Sequence, residues 1–429
     1  MIKKLLLVCL GGLISGALFG QTTNFGDPTS WNQSFSEINA IELHTMTGFD
    51  QVTIDLEDAL HDAAKDAPWR FGYKYDTDYT LTNSGTWTNL PNGDRLWRIG
   101  VKCEGAMTVN LLMENFYIPQ GAFMHMYDVD HTNMIGAFTS RNNSQGGLLG
   151  TELVHGEHVI LEYYEPVNVI GQGHLKVASV VHGYRSLDRI QENLTKALNS
   201  SGDCNIDVNC PLGDAWDDQI RSVAMIVVGG SGICSGALIN NTCDDGTAYF
   251  LTADHCLGGA GVGANLNWAF RFNWKSPPGT ESCATTTGST DPGAPYDQTA
   301  YGATVLVQGT EADHALLQID NMTLTDAQSW NVFYAGWNND DTDGLITQAT
   351  GIHHPSGDLM KICREDDAPF HNNTAGADVW YINSWEQGVT EPGSSGSPLF
   401  DQNGRIIGQL YGGAAACSGT VNNGTYDYY

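Results

Sequence analysis

The stretch Gly388-Val-Thr-Glu-Pro-Gly-Ser-Ser-Gly-Ser-Pro-Leu-Phe400 decides the reading of this chain. At its centre Ser394 and Ser395 lie between Gly393 and Gly396, with Ser397 and Pro398 following. Glycines this close permit a tight loop in which backbone N–H groups converge on one point. A serine hydroxyl alone is a weak nucleophile, so such a loop needs a base and an acid to orient that base. Both stand upstream. Leu251-Thr-Ala-Asp-His-Cys256 supplies His255 as base, and Glu311-Ala-Asp-His-Ala-Leu-Leu317 supplies Asp313 as acid. Gly/Ser runs are most often flexible linkers. Here the ordered set of His, Asp and Ser segments favours a catalytic constellation. Asp254 and His314 are the neighbours that compete. Adjacent residues in extended chain point apart, so both read as bystanders.

Composition bounds the rest. A chain of 429 residues with 41% hydrophobic content has ample material for packed cores in two or three domains. Fifty glycines and 10% aromatics favour a turn-rich β protein. The formal charge is −30, and residues 204–429 alone carry 6 Lys+Arg against 26 Asp+Glu. Such a surface repels nucleic acid. It either draws cationic substrates or simply keeps an exported protein soluble. Residues 1–20 combine Lys3-Lys4, an apolar run from Leu5 to Phe19 and small residues near the end, the pattern of a secretory signal. Cys9 follows Val8, not a small residue, so no lipid anchor is read. No other stretch reaches about 18 continuous apolar residues, so no membrane partner is expected after signal removal.

Of ten cysteines, Cys9 leaves with the signal and Cys103 stands apart. The other eight lie between Cys204 and Cys417, an even number that implies disulfides in an exported chain. No Cys-x-x-Cys and no His-Glu-x-x-His occurs, so no metal and no cofactor are expected. Asn339-x-Asp341-x-Asp343-Gly344 reads as an acidic turn, because Thr350 stands where a calcium loop needs its bidentate Glu.

In chain order, residues 54–65 suit a short amphipathic helix ended by Asp66-Ala67-Pro68, since the residue before proline avoids the helical region. Segments around Trp87, Arg95–Val101, Met107–Met113, Ala122–Tyr127 and His158–Tyr164 read as strands separated by turn signals, which suggests a β-sandwich. His155 and His158 fall within it as ordinary core or surface residues. Residues 187–198 read as partly helical, and Asn199-Ser-Ser-Gly202 as a linker. Beyond it come strands at Arg221–Val228, Gly229–Ile239, Ala248–Ala253, Thr304–Val307, Ala315–Ile319, Gly344–Ala349 and Arg405–Tyr411, the pattern of a barrel or sandwich.

These segments together resemble a trypsin-like serine protease of the chymotrypsin fold, and within that class bacterial lysyl endopeptidase. The resemblance covers residues 204–429. It rests on Cys204-Asn-Ile-Asp-Val-Asn-Cys210, Cys234-Ser-Gly-Ala-Leu-Ile, Ala335-Gly-Trp337, Ile352-His-His-Pro355, Thr390-Glu-Pro-Gly-Ser-Ser-Gly-Ser-Pro398 and Gln409-Leu-Tyr-Gly-Gly413. It implies an all-β fold of two six-stranded antiparallel Greek-key barrels. Residues 1–20 would be a signal peptide, 21–200 a largely β propeptide, and 201–429 the protease, with the C-terminal end truncated where the family runs on. It implies His255, Asp313 and Ser395 as the triad, and the N–H groups of Gly393 and Ser395 as the oxyanion hole. Tyr411, Gly412, Gly413 and Asp427 would contact substrate, with Asp427 at the base of the primary pocket selecting a cationic side chain. Disulfides Cys204–Cys417, Cys210–Cys283 and Cys234–Cys256 follow by the same resemblance, leaving Cys243 and Cys363 for a fourth. Two positions depart from the pattern. Ser394 replaces the Asp that would pair with a new N-terminal ammonium, and Tyr411 stands in place of His. The implied enzyme is a secreted, monomeric endopeptidase cutting after lysine, acting on protein or peptide substrates and on its own propeptide. The rivals are cleavage after arginine or either basic residue, and a barrel that binds without catalysis.

Residues 204–429 hold only two lysines, Lys275 and Lys361, whereas residues 21–203 hold five. Lys196 lies eight residues ahead of Cys204 in a polar stretch suited to enter an active site. Lys196→Gln is therefore expected to slow maturation, read as accumulation of the precursor and an altered N-terminus by intact mass.

Overall fold

The computed structural model describes residues 26–32, 41–185, 200–289, 298–340, 342, 344–374 and 376–429. The expected signal, the segment 187–198 with Lys196, and Asp341 and Asp343 of the acidic turn lie outside them. Asp50 caps the helix Gln51–Ala64 by accepting the Thr53 N–H. The helix ends at Lys65, whose backbone is left-handed (φ 51°, ψ 34°), three residues ahead of Pro68.

The N-terminal region then builds two sheets. One pairs Arg95–Lys102 with Glu42–Thr45, Thr86–Asn89 and His158–Glu165, and continues through Phe123–Asp128 to Met134–Phe138. The other is centred on Thr108–Tyr117 and His174–Gly183, with Gly72–Thr80 at its edge. Alternate residues of both face a core that includes Trp97, Ile99, Leu111, Met113, Met124, Leu161 and Val180. That core does not stop at the linker. Met225, Val227, Ile233, Ala269, Trp274, Tyr301 and Leu359 of the C-terminal region belong to it. Residues read as a loose connection are also tied down. Ser200 Oγ donates to Ser356 O at 2.8 Å, Ser201 Oγ to Asp358 Oδ2 at 2.5 Å, and the Gly202 N–H to Glu391 Oε2 at 2.8 Å.

The C-terminal region opens with a closed ring of six antiparallel strands. Their spatial order is Val223–Val228, Asn265–Phe272, Thr299–Gly309, His314–Ile319, Tyr249–Ala253 and Gly232–Ile239, and the first pairs with the last. Closure removes the open edges that a sheet of this size would otherwise present. The remainder holds a five-stranded sheet of Ile206–Asp207, Lys361–Glu365, Ala349–His353, Pro398–Asp401 and Ile406–Gln409, a four-stranded one of Phe370–Thr374, Ala377–Ile382, Asp427–Tyr428 and Gly412–Gly413, and a short pair of Cys417–Ser418 with Val421–Asn422; the first two are the larger. Trp380, Trp385, Leu399, Leu410 and Tyr429 fill the space between them. Ile206, Val223, Ala237, Ile352, Ile362 and Phe400 seal the ring to the second half. The strand expected at Gly344–Ala349 begins instead at Ala349, because Leu345 is exposed and only the run from Ala349 onward pairs.

Disulfides join Cys204 to Cys417, Cys210 to Cys283 and Cys234 to Cys256. The first closes a separation of 213 residues, which in the chain-entropy description stabilises by about 5 kcal/mol. A fourth bridge does not form. Cys243 is exposed, whereas Cys363 is buried with its thiol against Gly351 O and pushed well up by burial. Among the eight cysteines from Cys204 onward, a thiol reagent is expected to label Cys243 in the native protein. Cys363 should react only after unfolding without reductant, as read by peptide mapping.

Candidate active site

His255 follows the strand Tyr249–Ala253 at the first position of a 3-10 turn, and the bridge from Cys256 to Cys234 fixes that turn to the neighbouring strand. Asp313 sits just before His314–Ile319, the strand paired with Tyr249–Ala253, in a left-handed backbone (φ 49°) that Asp tolerates better than most residues. It is buried and grips His255 twice. Oδ2 accepts from His255 Nδ1 at 2.7 Å, and Oδ1 accepts the His255 backbone N–H at 2.8 Å. Its carbonyl accepts the Asp254 N–H and Gln409 Nε2, both at 2.8 Å. These contacts leave the imidazole one tautomer, with Nε2 as the acceptor. Asp254 turns away to accept from Gln308 Nε2 at 2.9 Å.

Ser395 comes from the other half of the C-terminal region and is buried at the seam. Its carbonyl accepts the Ser235 N–H at 2.8 Å, while Ser235 Oγ donates to Gly393 O at 3.0 Å. Gly396 (φ 79°) passes so close to the ring that a Cβ would stand 2.2 Å from Thr252 Oγ1. Gly393 (φ 93°) is confined less tightly, a Cβ there standing 2.9 Å from Ser356 N. Among the described residues, the N–H groups of Gly393 and Ser395 donate to no protein acceptor. The same holds for the buried His255 Nε2, so its bond to the Ser395 hydroxyl is not made in this form of the chain. The structure therefore joins His255 to Asp313 and brings Ser395 to the same seam without closing the last link.

Ser394, which departs from the resemblance, is held by a residue of the quoted motif Ile352-His-His-Pro355 that was given no role. Its Oγ lies 2.7 Å from Nδ1 of His353 and accepts the Glu391 N–H at 3.2 Å. His353 is fully buried, and desolvation, aided by His354, Lys65 and Lys361, keeps it neutral well below the ordinary histidine range. His354 beside it donates Nδ1–H to Asp358 O at 3.0 Å, and burial pushes its pKa to about 4.

Asp427 is fully buried on the strand Asp427–Tyr428, paired with Gly412–Gly413. Trp385 Nε1 and Thr390 Oγ1 each donate to its Oδ2 at 2.7 Å. Gly413 (φ 153°) is required there, because a Cβ would stand 2.1 Å from Asp427 Oδ1. Gly412 is pressed against Tyr428, whose ring packs edge-on to Tyr411 at 5.2 Å. The remaining carboxylate oxygen faces a cation that the sequence did not point to. Lys65 Nζ, from the end of the N-terminal helix, lies 3.2 Å from Asp427 Oδ1, 2.9 Å from Thr390 Oγ1 and 3.0 Å from Thr390 O. Thr390 stood inside the quoted motif. Trp385 and Lys65 carried no local signal.

A buried Asp313–His255 pair, a glycine-bracketed serine with two free N–H groups beside it, and a closed β ring define a serine endopeptidase. A family model described as the C-terminal domain of lysyl endopeptidase matches residues 198–429, and the chain belongs to that family. A lysyl endopeptidase of Pseudomonas aeruginosa is 24% identical over 361 residues, covering 80% of this chain and 74% of that protein. Among solved structures, the Rv3671c protease from M. tuberculosis in its active form shares 16% identity at a TM-score of 0.31, covering 56% of this chain and 88% of that one. A thermostable serine protease, AL20, from an extremophilic microorganism shares 14% at 0.32, covering 49% and 91%.

Histidines buried neutral set an acid limit. An unfolded histidine titrates near 6.5 and folded His354 near 4. Between these values the unfolded chain binds a proton that the folded chain lacks, so stability falls as pH drops through that window. His354→Asn is expected to remove on the order of 3 kcal/mol from the pH dependence between pH 7 and 4. The check is Tm across that range against the parent.

Proposed function

We propose that this chain is a secreted serine endopeptidase that hydrolyses peptide bonds after lysine, made with residues 21–200 as a removable N-terminal unit. The observation that carries the specificity is the ammonium of Lys65 in the Asp427 pocket. An ammonium has three N–H donors, and three acceptors surround this one. A guanidinium carries five donors in a wider planar fork, which this narrow set does not match. A neutral side chain would leave the buried carboxylate without a counter-charge, a loss of about 3–5 kcal/mol where such pairs are broken.

In the reaction, Ser395 Oγ attacks the carbonyl after a lysine seated against Asp427. His255 Nε2 takes the hydroxyl proton and returns it to the leaving amine, while Asp313 stabilises the imidazolium through Nδ1–H. The N–H groups of Gly393 and Ser395 meet the negative oxygen, each donor contributing about 3 kcal/mol. The ester left on Ser395 is then hydrolysed by water along the same path.

Ser395→Ala is expected to lower proteolysis by roughly 10⁴-fold or more while the fold persists. Asp427→Asn should lower kcat/KM on lysyl substrates by about 10²-fold and flatten the preference. Mass spectrometry of peptides released from a mixed protein substrate reads both. Unchanged lysine preference without Asp427 would reject the assignment of the pocket.

A further inference from the structure

The same lysine indicates how the N-terminal unit meets the protease, an inference that rests on the lysine-pocket reading. Lys65 is not an isolated intruder. Its side chain is almost wholly buried in the pocket, and the chain after it crosses to the ring. Trp69–Arg70 pairs antiparallel with Gly232–Ile233, at the end of the Cys234 strand that Tyr249–Ala253 does not reach, since that neighbour pairs only with Ala237–Ile239. The Phe71 N–H then donates to Ser231 O at 2.9 Å. Cys234 is bridged to Cys256, the neighbour of His255. Residues 65–71 thus run from Asp427 and Thr390, where the lysine is seated, to the ring strand Gly232–Ile239, where the residues after it pair.

The backbone of Lys65 is nevertheless wrong for cleavage. It is left-handed, and its N–H is held by His61 O at 2.8 Å as the cap of the helix. His61 Nδ1 also meets Asp66 Oδ1 at 2.9 Å, bracing the bond after Lys65. Neither the Gly393 nor the Ser395 N–H reaches the Lys65 carbonyl, and His255 Nε2 has not engaged Ser395. Asn110 Nδ2 to Gly230 O at 2.8 Å, Arg141 to Asp326 at 2.8 Å and the buried Arg271–Glu152 pair add further contacts between the N-terminal sheets and the ring.

We propose that the N-terminal unit is a tethered inhibitor that presents Lys65 to the lysine pocket in an uncleavable conformation.

The test uses the full chain carrying Ser395→Ala, which cannot process itself. Glycine suits a left-handed helix end, so Lys65→Gly removes the side chain without disturbing the turn. Lys65→Met is the second variant, keeping the stem and losing the charge. Binding of Nα-acetyl-lysine amide is read by saturation-transfer NMR, with Nα-acetyl-norleucine amide as control. The lysine compound is expected to bind the Gly and Met variants at least tenfold more tightly than the Lys65 chain, and the norleucine compound to bind none. Equal binding with and without Lys65, or binding to neither, overturns the proposal. Should the active enzyme still cut after lysine in a mixed digest, that failure concerns the inhibitor alone. Loss of lysine preference there removes the pocket reading first, and the proposal with it.

Discussion

The candidate active site depends on one seam. His255 and Asp313 belong to the closed ring, Ser395 to the sheets that follow, and Ser235 stitches the two. Its N–H, hydroxyl and carbonyl meet Ser395, Gly393 and Thr252, and its hydroxyl also accepts the His354 N–H at 2.9 Å. No single contact of this kind is worth much more than about 1 kcal/mol net. Together they fix register, because each uses a different backbone position. Gly396 is the steric counterpart. Any side chain there would force the halves apart by more than an ångström, a displacement that costs about two orders of magnitude in a reaction governed by orientation.

Two buried lysines show the same chemistry used for different ends. Lys361 is enclosed with Asp207, Asp358 and Ser289, all from the C-terminal region. Desolvation opposes its charge, but the two carboxylates more than offset this and raise its pKa. It is a permanent member of the core. Lys65 meets a single carboxylate and comes from the N-terminal region, so its ion pair with Asp427 joins the two regions. Trp385 and Thr390 satisfy one oxygen of Asp427 and Lys65 the other, so the buried carboxylate is fully partnered.

The candidate trio His255, Asp313 and Ser395 could be picked out because each member lies in a short segment beside an apolar strand. The ring strands were legible because period and turn residues agree. Asp427 could be read only through the resemblance, since its partners Trp385 and Thr390 are some 40 positions away. The strand Trp69–Arg70 has no signal of its own. Two residues cannot show a period, and its pairing is imposed by the ring edge. The fourth disulfide was suggested by even parity alone, whereas bridging needs proximity, and Cys243 and Cys363 lie in different environments. His353 was hidden for a different reason. A buried histidine under a serine looks like any apolar-strand residue until its neighbours are placed.

The core shared across the two regions bears on timing. Met225, Val227, Ile233, Ala269 and Trp274 bury their side chains among residues of the N-terminal sheets, so severing the connection between the regions breaks no part of that contact. A nicked molecule would remain one particle, held by apolar area whose loss becomes limiting only at dissociation. The onset of activity would then follow the residence time of the severed unit. Its delay would be first-order and indifferent to enzyme concentration, however quickly the chain itself had been cut.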